Sequence, residues 1–144
     1  MMIIRLNCGL GEASRKSGIK KSTLCMKLQN PETRLYCSDF GSLWSAGVLA
    51  EKSFEAYFPN IAYELEEGTP LDRAGGWAEL EKATGIPRST YREKQAMEDI
   101  HGNLREWKLS ELQSLSRAHL ITKAEAQEYI NKAWKARSQN KRTR

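Results

Sequence analysis

The sequence has little of what covalent or metal chemistry needs. Its 144 residues include only three cysteines and two histidines. Cys8, Cys25 and Cys37 are odd in number and too widely spaced for a CxxC knuckle, so neither a disulfide framework nor a zinc site is expected. They read as reduced thiols of a cytoplasmic protein. His101 and His119 have no neighbouring Cys, Asp or Glu at metal or triad spacing and read as structural. The glycines at Gly9 and Gly11 do not form the GxxxxGK pattern of a phosphate loop. Glu64, Glu66 and Glu67 form a charge run of the solvated kind. No enzyme, cofactor or metal is therefore expected. Apolar runs span only a few residues, and residues 1–6 are too short for a signal segment, so no membrane association is expected either.

What remains is an ordinary globular composition, 40% hydrophobic and 28% charged, with a net charge of +5. Wholesale disorder is excluded. Residues 1–68 hold eight Lys/Arg against eight Asp/Glu, which leaves fifteen against ten for the remainder. A mild basic excess fits a polyanionic partner without requiring one.

The informative feature is an internal repeat. Gly18-Ile19-x-x-Ser22-Thr23-Leu24-x-x-Lys27 matches Gly85-Ile86-x-x-Ser89-Thr90-Tyr91-x-x-Lys94 at an offset of 67 residues. The match resumes at an offset of 72, where Leu35, Ser38, Asp39, Phe40, Leu43, Ala46 and Leu49 lie over Trp107, Ser110, Glu111, Leu112, Leu115, Ala118 and Ile121. Tyr57 and Phe58 lie over Tyr129 and Ile130. The second copy thus carries a five-residue insertion near residues 101–104, and each copy is expected to end in a helix. The expected organisation is a first unit at 1–68, a second at 69–137 and a disordered basic tail at 138–144, with the acidic run before Gly68 read as a helix end.

Periodicity makes the fold all-α. Thr122 and Glu125 form a capping box ahead of an apolar face of Ala126, Tyr129, Ile130, Ala133 and Trp134. Leu112, Leu115 and Ala118 form a second stripe after Ser110, and Ser38 to Ala46 is its counterpart. Only residues 1–6 alternate with period two. Trp44, Trp77, Trp107 and Trp134 read as core and interface anchors.

Within each copy a short helix, a glycine, an isoleucine and a Ser/Thr cluster follow in the order a helix-turn-helix requires. Gly18 and Gly85 fall where the first helix must stop in a left-handed conformation. Ile19 and Ile86 plug the corner, Pro87 fits the junction with the second helix, and the Ser/Thr pairs cap that helix or sit in its first turn. In such a unit the second helix offers its N-terminal residues to the major groove. The expected DNA-reading residues are Lys20, Lys21, Ser22, Thr23, Met26 and Lys27 in the first copy and Arg88, Ser89, Thr90 and Arg92 in the second. Residues 15–34 contain six Lys/Arg and the single acid Glu32. The second copy is less suited, because Glu93, Glu98 and Asp99 follow its Ser/Thr pair and would repel phosphate.

The stretch Gly18-Ile-Lys-Lys-Ser-Thr-Leu-Cys-Met-Lys-Leu-Gln-Asn-Pro-Glu32, with the helix after it, resembles the CII-type lysogeny regulators of temperate phages over about forty residues. That resemblance implies a phage or mobile-element transcription regulator that binds double-stranded operator DNA, with Lys20, Lys21, Ser22 and Thr23 as reading residues. The sequence departs from that pattern by Gln29 and by its second related unit. A homodimer or another regulatory protein is a further partner to expect. The competing reading is a protein-interaction module, such as an antirepressor or antiactivator, or a recombination accessory factor.

Overall fold

The computed structural model describes the backbone of residues 3–95 and 106–142, and the side chains of 3–92 and 106–137. Over these residues the chain is all-α, with three isolated bridges as its only extended pairing. The helices are α1 (Leu10–Ser17), α2 (Lys21–Gln29), α3 (Pro31–Arg34), α4 (Cys37–Ala46), α5 (Pro70–Ala74), α6 (Trp77–Thr84), α7 (Arg88–Gln95), α8 (Leu109–Arg117) and α9 (Lys123–Arg142), with a 3-10 turn at Phe54–Ala56. No helix among the described residues is long and apolar enough to cross a membrane.

The corners α1–α2 and α6–α7 are built alike. Gly18 (φ 80°) and Gly85 (φ 74°) end their helices in the left-handed region, and their N–H groups donate to Ser14 O (3.0 Å) and Glu81 O (2.7 Å). The isoleucine that follows is buried in each, which would strand its backbone donor away from water. The hydroxyl of the last helical residue prevents this. Ser17 Oγ accepts from Ile19 N–H (3.2 Å) and Thr84 Oγ1 from Ile86 N–H (3.1 Å). Ala13 and Leu24 fill the first corner, and Leu80 and Tyr91 fill the second. Ser22, Thr23 and Ser89, Thr90 sit in the first turns of α2 and α7 rather than at the caps.

Helices α4 and α8 also match. Asp39 Oδ2 accepts from Tyr36 N–H (2.9 Å), and Glu111 Oε1 accepts from Lys108 N–H (2.8 Å), which satisfies one free donor at each helix start. Both helices are followed by a left-handed residue, Gly47 (φ 69°) and His119 (φ 57°). The next N–H then closes back, Val48 to Leu43 O (3.3 Å) and Leu120 to Leu115 O (3.0 Å). The two helix starts are joined directly. Tyr36 and Lys108 form an antiparallel bridge in which Cys37 N–H donates to Trp107 O (3.1 Å) and Leu109 N–H to Leu35 O (2.9 Å).

One buried cluster runs through both halves. The Phe40 ring meets Phe54, Tyr57 and Phe58 edge-on, and α9 lies across α4. Gly41 makes that crossing close, since a Cβ there would stand 2.7 Å from Trp134 Cβ. Trp107 is buried, and Trp44, Trp77 and Trp134 are half-buried. The side chains expected on the α9 core face follow that expectation, with Ala126, Ile130 and Ala133 buried and Tyr129 half-buried.

Four expectations need correction or qualification. The acidic run at 64–67 is irregular chain, not a helix end, and the helix that follows is the short α5, opened by a Thr69–Asp72 capping box. The first copy ends in a single 3-10 turn, because Pro59 disfavours helical backbone at Phe58; Asn131 occupies the corresponding place and α9 continues. The tail does not separate at residue 138. Helix α9 runs to Arg142, consistent with the helix-forming character of Lys, Arg and Gln and with the affinity of positive charge for a helix C-terminus. The insertion at 101–104, His101, Glu98 and Asp99 lie outside the described residues, as do the side chains of Glu93 and Lys94.

Candidate nucleic-acid interface

Helix α2 is held by Leu24, which is fully buried, and by half-buried Leu28. Its first turn is open. Lys20, Lys21 and Ser22 are exposed, Thr23 is half-buried, and Met26 is 42% exposed. No side chain caps this helix start and no acid stands in its first turn, so its backbone dipole and its lysines have the same sign. Arg15 and Lys16 project from α1, each 3.7 Å from exposed Glu12. Arg34, exposed at the end of α3, brings Nη1 to 3.2 Å from Met26 Sδ. Five exposed Lys/Arg therefore stand at the end of α1, the start of α2 and the end of α3.

Lys27 is not among them. Its Nζ is 2.8 Å from Asp39 Oδ2 and 3.0 Å from Arg34 O, and lies 5.2 Å from the centre of the Tyr36 ring. Its side chain is 13% exposed. The lysine ties α2 to the start of α4, so its expected role as a DNA contact is corrected to a structural one. The repeat itself carried the signal: Lys27 and Asp39 recur in the sequence as Lys94 and Glu111, a cation and an acid at matching positions.

In the second corner Arg88, Ser89 and Arg92 are exposed and Thr90 is half-buried. The Arg88 guanidinium lies 5.0 Å over the Trp77 ring, a cation–π contact that fixes its direction. Thr90 faces a groove of about 680 Å³ that also contains Glu32, Glu111 and Gln113. A smaller groove of about 380 Å³ beside α2 contains Thr23, Met26 and Arg34. Thr33 borders both. The structure thus leaves Lys20, Lys21 and Ser22 exposed at the start of α2 and Met26 exposed a turn further on, and leaves Arg88, Ser89 and Arg92 exposed in the first turns of α7.

Comparison of the chain with protein-family models, with curated proteins and with solved structures finds no match. The functional reading therefore rests on the surface around the start of α2.

Sequence reasoning missed one buried charge. Glu106 is enclosed, with Oε1 accepting from Ser38 Oγ (2.6 Å) and from Arg137 Nη2 (3.0 Å). Burial raises its carboxyl to about 7, outweighing the opposing effects of Ser38 and Arg137. No apolar periodicity marks a residue that precedes its helix, so nothing local announced it. The group fastens α9 to α4 and to the start of α8.

Proposed function

We propose that this chain is a sequence-specific DNA-binding transcription regulator of phage or mobile-element type, built from tandem helix-turn-helix units. It acts in the cytoplasm by occupying double-stranded operator DNA, without cofactor or catalysis. The observation that carries this reading is the open first turn of α2, where Lys20, Lys21 and Ser22 stand exposed, with Arg15 and Lys16 exposed on α1 and Arg34 on α3. Lysine donates to guanine or phosphate, serine bonds base edges or phosphate, and the Met26 thioether suits a thymine methyl. The surrounding arginines and Lys16 supply the sequence-independent attraction to the backbone.

Binding of the purified chain to a pool of random duplexes at two salt concentrations, with sequencing of what is retained, tests the proposal. Enrichment of a motif that weakens with salt supports it. Retention without enrichment, or no retention, sinks it.

A second reading draws on the groove at Thr90, which is lined partly by Glu32 and Glu111 and is poorly suited to phosphate. On that reading the protein docks another regulator, as an antirepressor or antiactivator does. Lys20→Ala with Lys21→Ala separates the two, since it weakens DNA binding and leaves partner binding intact. A recombination accessory factor would use the same DNA contacts and differ only in where its sites lie.

A further inference from the structure

The Tyr36–Lys108 bridge joins residues that are themselves 72 apart, the same offset that superposes the two halves. Cys37 bonds to Trp107 and Leu109 bonds to Leu35, so each partner's hydrogen bond is repeated by its counterpart. An antiparallel pair of this kind has a local two-fold axis through its centre. A second reciprocal contact agrees with it. Gly41 of α4 packs against Ile130 of α9 so closely that a Cβ on the glycine would stand 3.3 Å from both the Ile130 carbonyl oxygen and its Cγ2, while Gln113 Nε2 of α8 donates to Tyr57 O at 2.7 Å. Gly41 and Gln113 correspond, and the chain at Tyr57 corresponds to the turn of α9 next to Ile130. Each half thus touches the other's matching helix with its last segment, while Phe54, Tyr57 and Phe58 of the first half also pack on Phe40 of their own α4.

We infer that one chain binds a quasi-palindromic duplex, with two unlike half-sites in inverted orientation. The inference rests on the DNA-binding reading and specifies its ligand. A two-fold rotation keeps equivalent atoms at the same height along its axis and reverses their direction across it. Equivalent residues at the starts of α2 and α7 then lie at the same height along the axis and run in opposite senses. Units related by translation would read direct repeats. Units related by a two-fold read inverted ones, because duplex DNA has dyads perpendicular to its own axis.

The half-sites differ because the reading residues differ. Lys20 and Lys21 correspond to Pro87 and Arg88, so two flexible ammonium donors in one half face a single guanidinium fixed on Trp77 in the other. Arginine in that position favours a bidentate bond to guanine.

The test uses the full chain and the duplexes retained from the random pool. The expected result is an inverted motif with two different halves, one chain per duplex by native mass spectrometry, loss of preference in one half on Lys20→Ala with Lys21→Ala, and loss in the other half alone on Arg88→Ala. A direct repeat, a lone half-site, or two identical halves held by two chains would overturn the inference and leave the DNA-binding proposal standing. A pool with no enriched motif overturns both. Motif orientation and stoichiometry are read on the unmodified chain, so neither depends on how a variant folds.

Discussion

Lys27 holds Asp39 at 2.8 Å across the junction of α2 and α4, with both side chains largely out of water. Removing the cation leaves a buried carboxylate with only Tyr36 N–H to satisfy that oxygen. Breaking such a pair costs about 3 kcal/mol. Lys27→Met is therefore expected to lower the urea midpoint by that equivalent, while Lys20→Ala and Lys21→Ala each change stability by about 0.5 kcal/mol or less. Below its melting range the Lys27→Met variant should retain the same DNA motif as the parent chain. A variant as stable as the parent that loses the motif would return Lys27 to the reading surface.

Glu106 gives stability an unusual pH slope. Its carboxyl holds a proton up to about pH 7 in the folded protein, against 4.5 ordinarily, so the folded chain binds more protons than the unfolded one between those values. Stability from this group falls as pH rises through that window, by roughly 3 kcal/mol in all, and is level above it. The depressed acids act elsewhere. Glu55, lowered to about 2 chiefly by its hydrogen bond from Lys123, loses its contribution only as pH drops below 4.5. Glu106→Gln has no proton to lose there, and urea unfolding at pH 5 and pH 7.5 should give a smaller difference for it than for the parent. Equal differences would mean that Glu106 ionises normally.

The corners and the α9 start were legible because their determinants are local: a glycine, an isoleucine and a hydroxyl in fixed order, or Thr122 and Glu125 three residues apart. The all-α class followed from the same periodicities. The first copy's terminal helix was misjudged because Tyr57 and Phe58 match Tyr129 and Ile130 as core residues while Pro59 alone decides the backbone. At the candidate site, exposure of Ser22 and Met26 follows from their opposition to Leu24 and Leu28 on one helix, and that of Lys20 and Lys21 from their place at its free start. Lys27 stands on the same short helix, and its direction depends on Asp39, twelve residues away in another element. The lie of α9 across α4 of the other half was invisible, since its apolar face fits either helix and only tertiary contacts distinguish the two.

Gly41 tests the α4–α9 crossing through packing. An alanine Cβ would meet Trp134 Cβ at 2.7 Å and the Ile130 carbonyl at 3.3 Å, and the backbone of α9 has no flexible end to move aside. Overfilling a close crossing of this kind costs about 1–3 kcal/mol. Gly41→Ala is expected to lower Tm measurably, whereas Ala50→Gly, at an exposed position, should change it little. An unchanged Tm in Gly41→Ala would mean that α9 does not lie against α4 in solution.

Salt dependence separates the lysines that meet phosphate from those that do not. Each phosphate neutralised by the protein adds about 0.9 to the slope of log affinity against log salt. Lys20→Ala with Lys21→Ala should flatten that slope by up to about 1.8, and Arg88→Ala by about 0.9, because its guanidinium is exposed although stacked on Trp77. Lys27→Met should leave it unchanged, since its ammonium is paired with Asp39 before DNA arrives. The slope is independent of how strongly any variant binds at one salt concentration, so a folding defect that merely reduces active protein leaves it untouched. An unaltered slope in the double variant would move the phosphate contacts away from the start of α2, and a flattened one in Lys27→Met would mean that the Asp39 pair opens on binding.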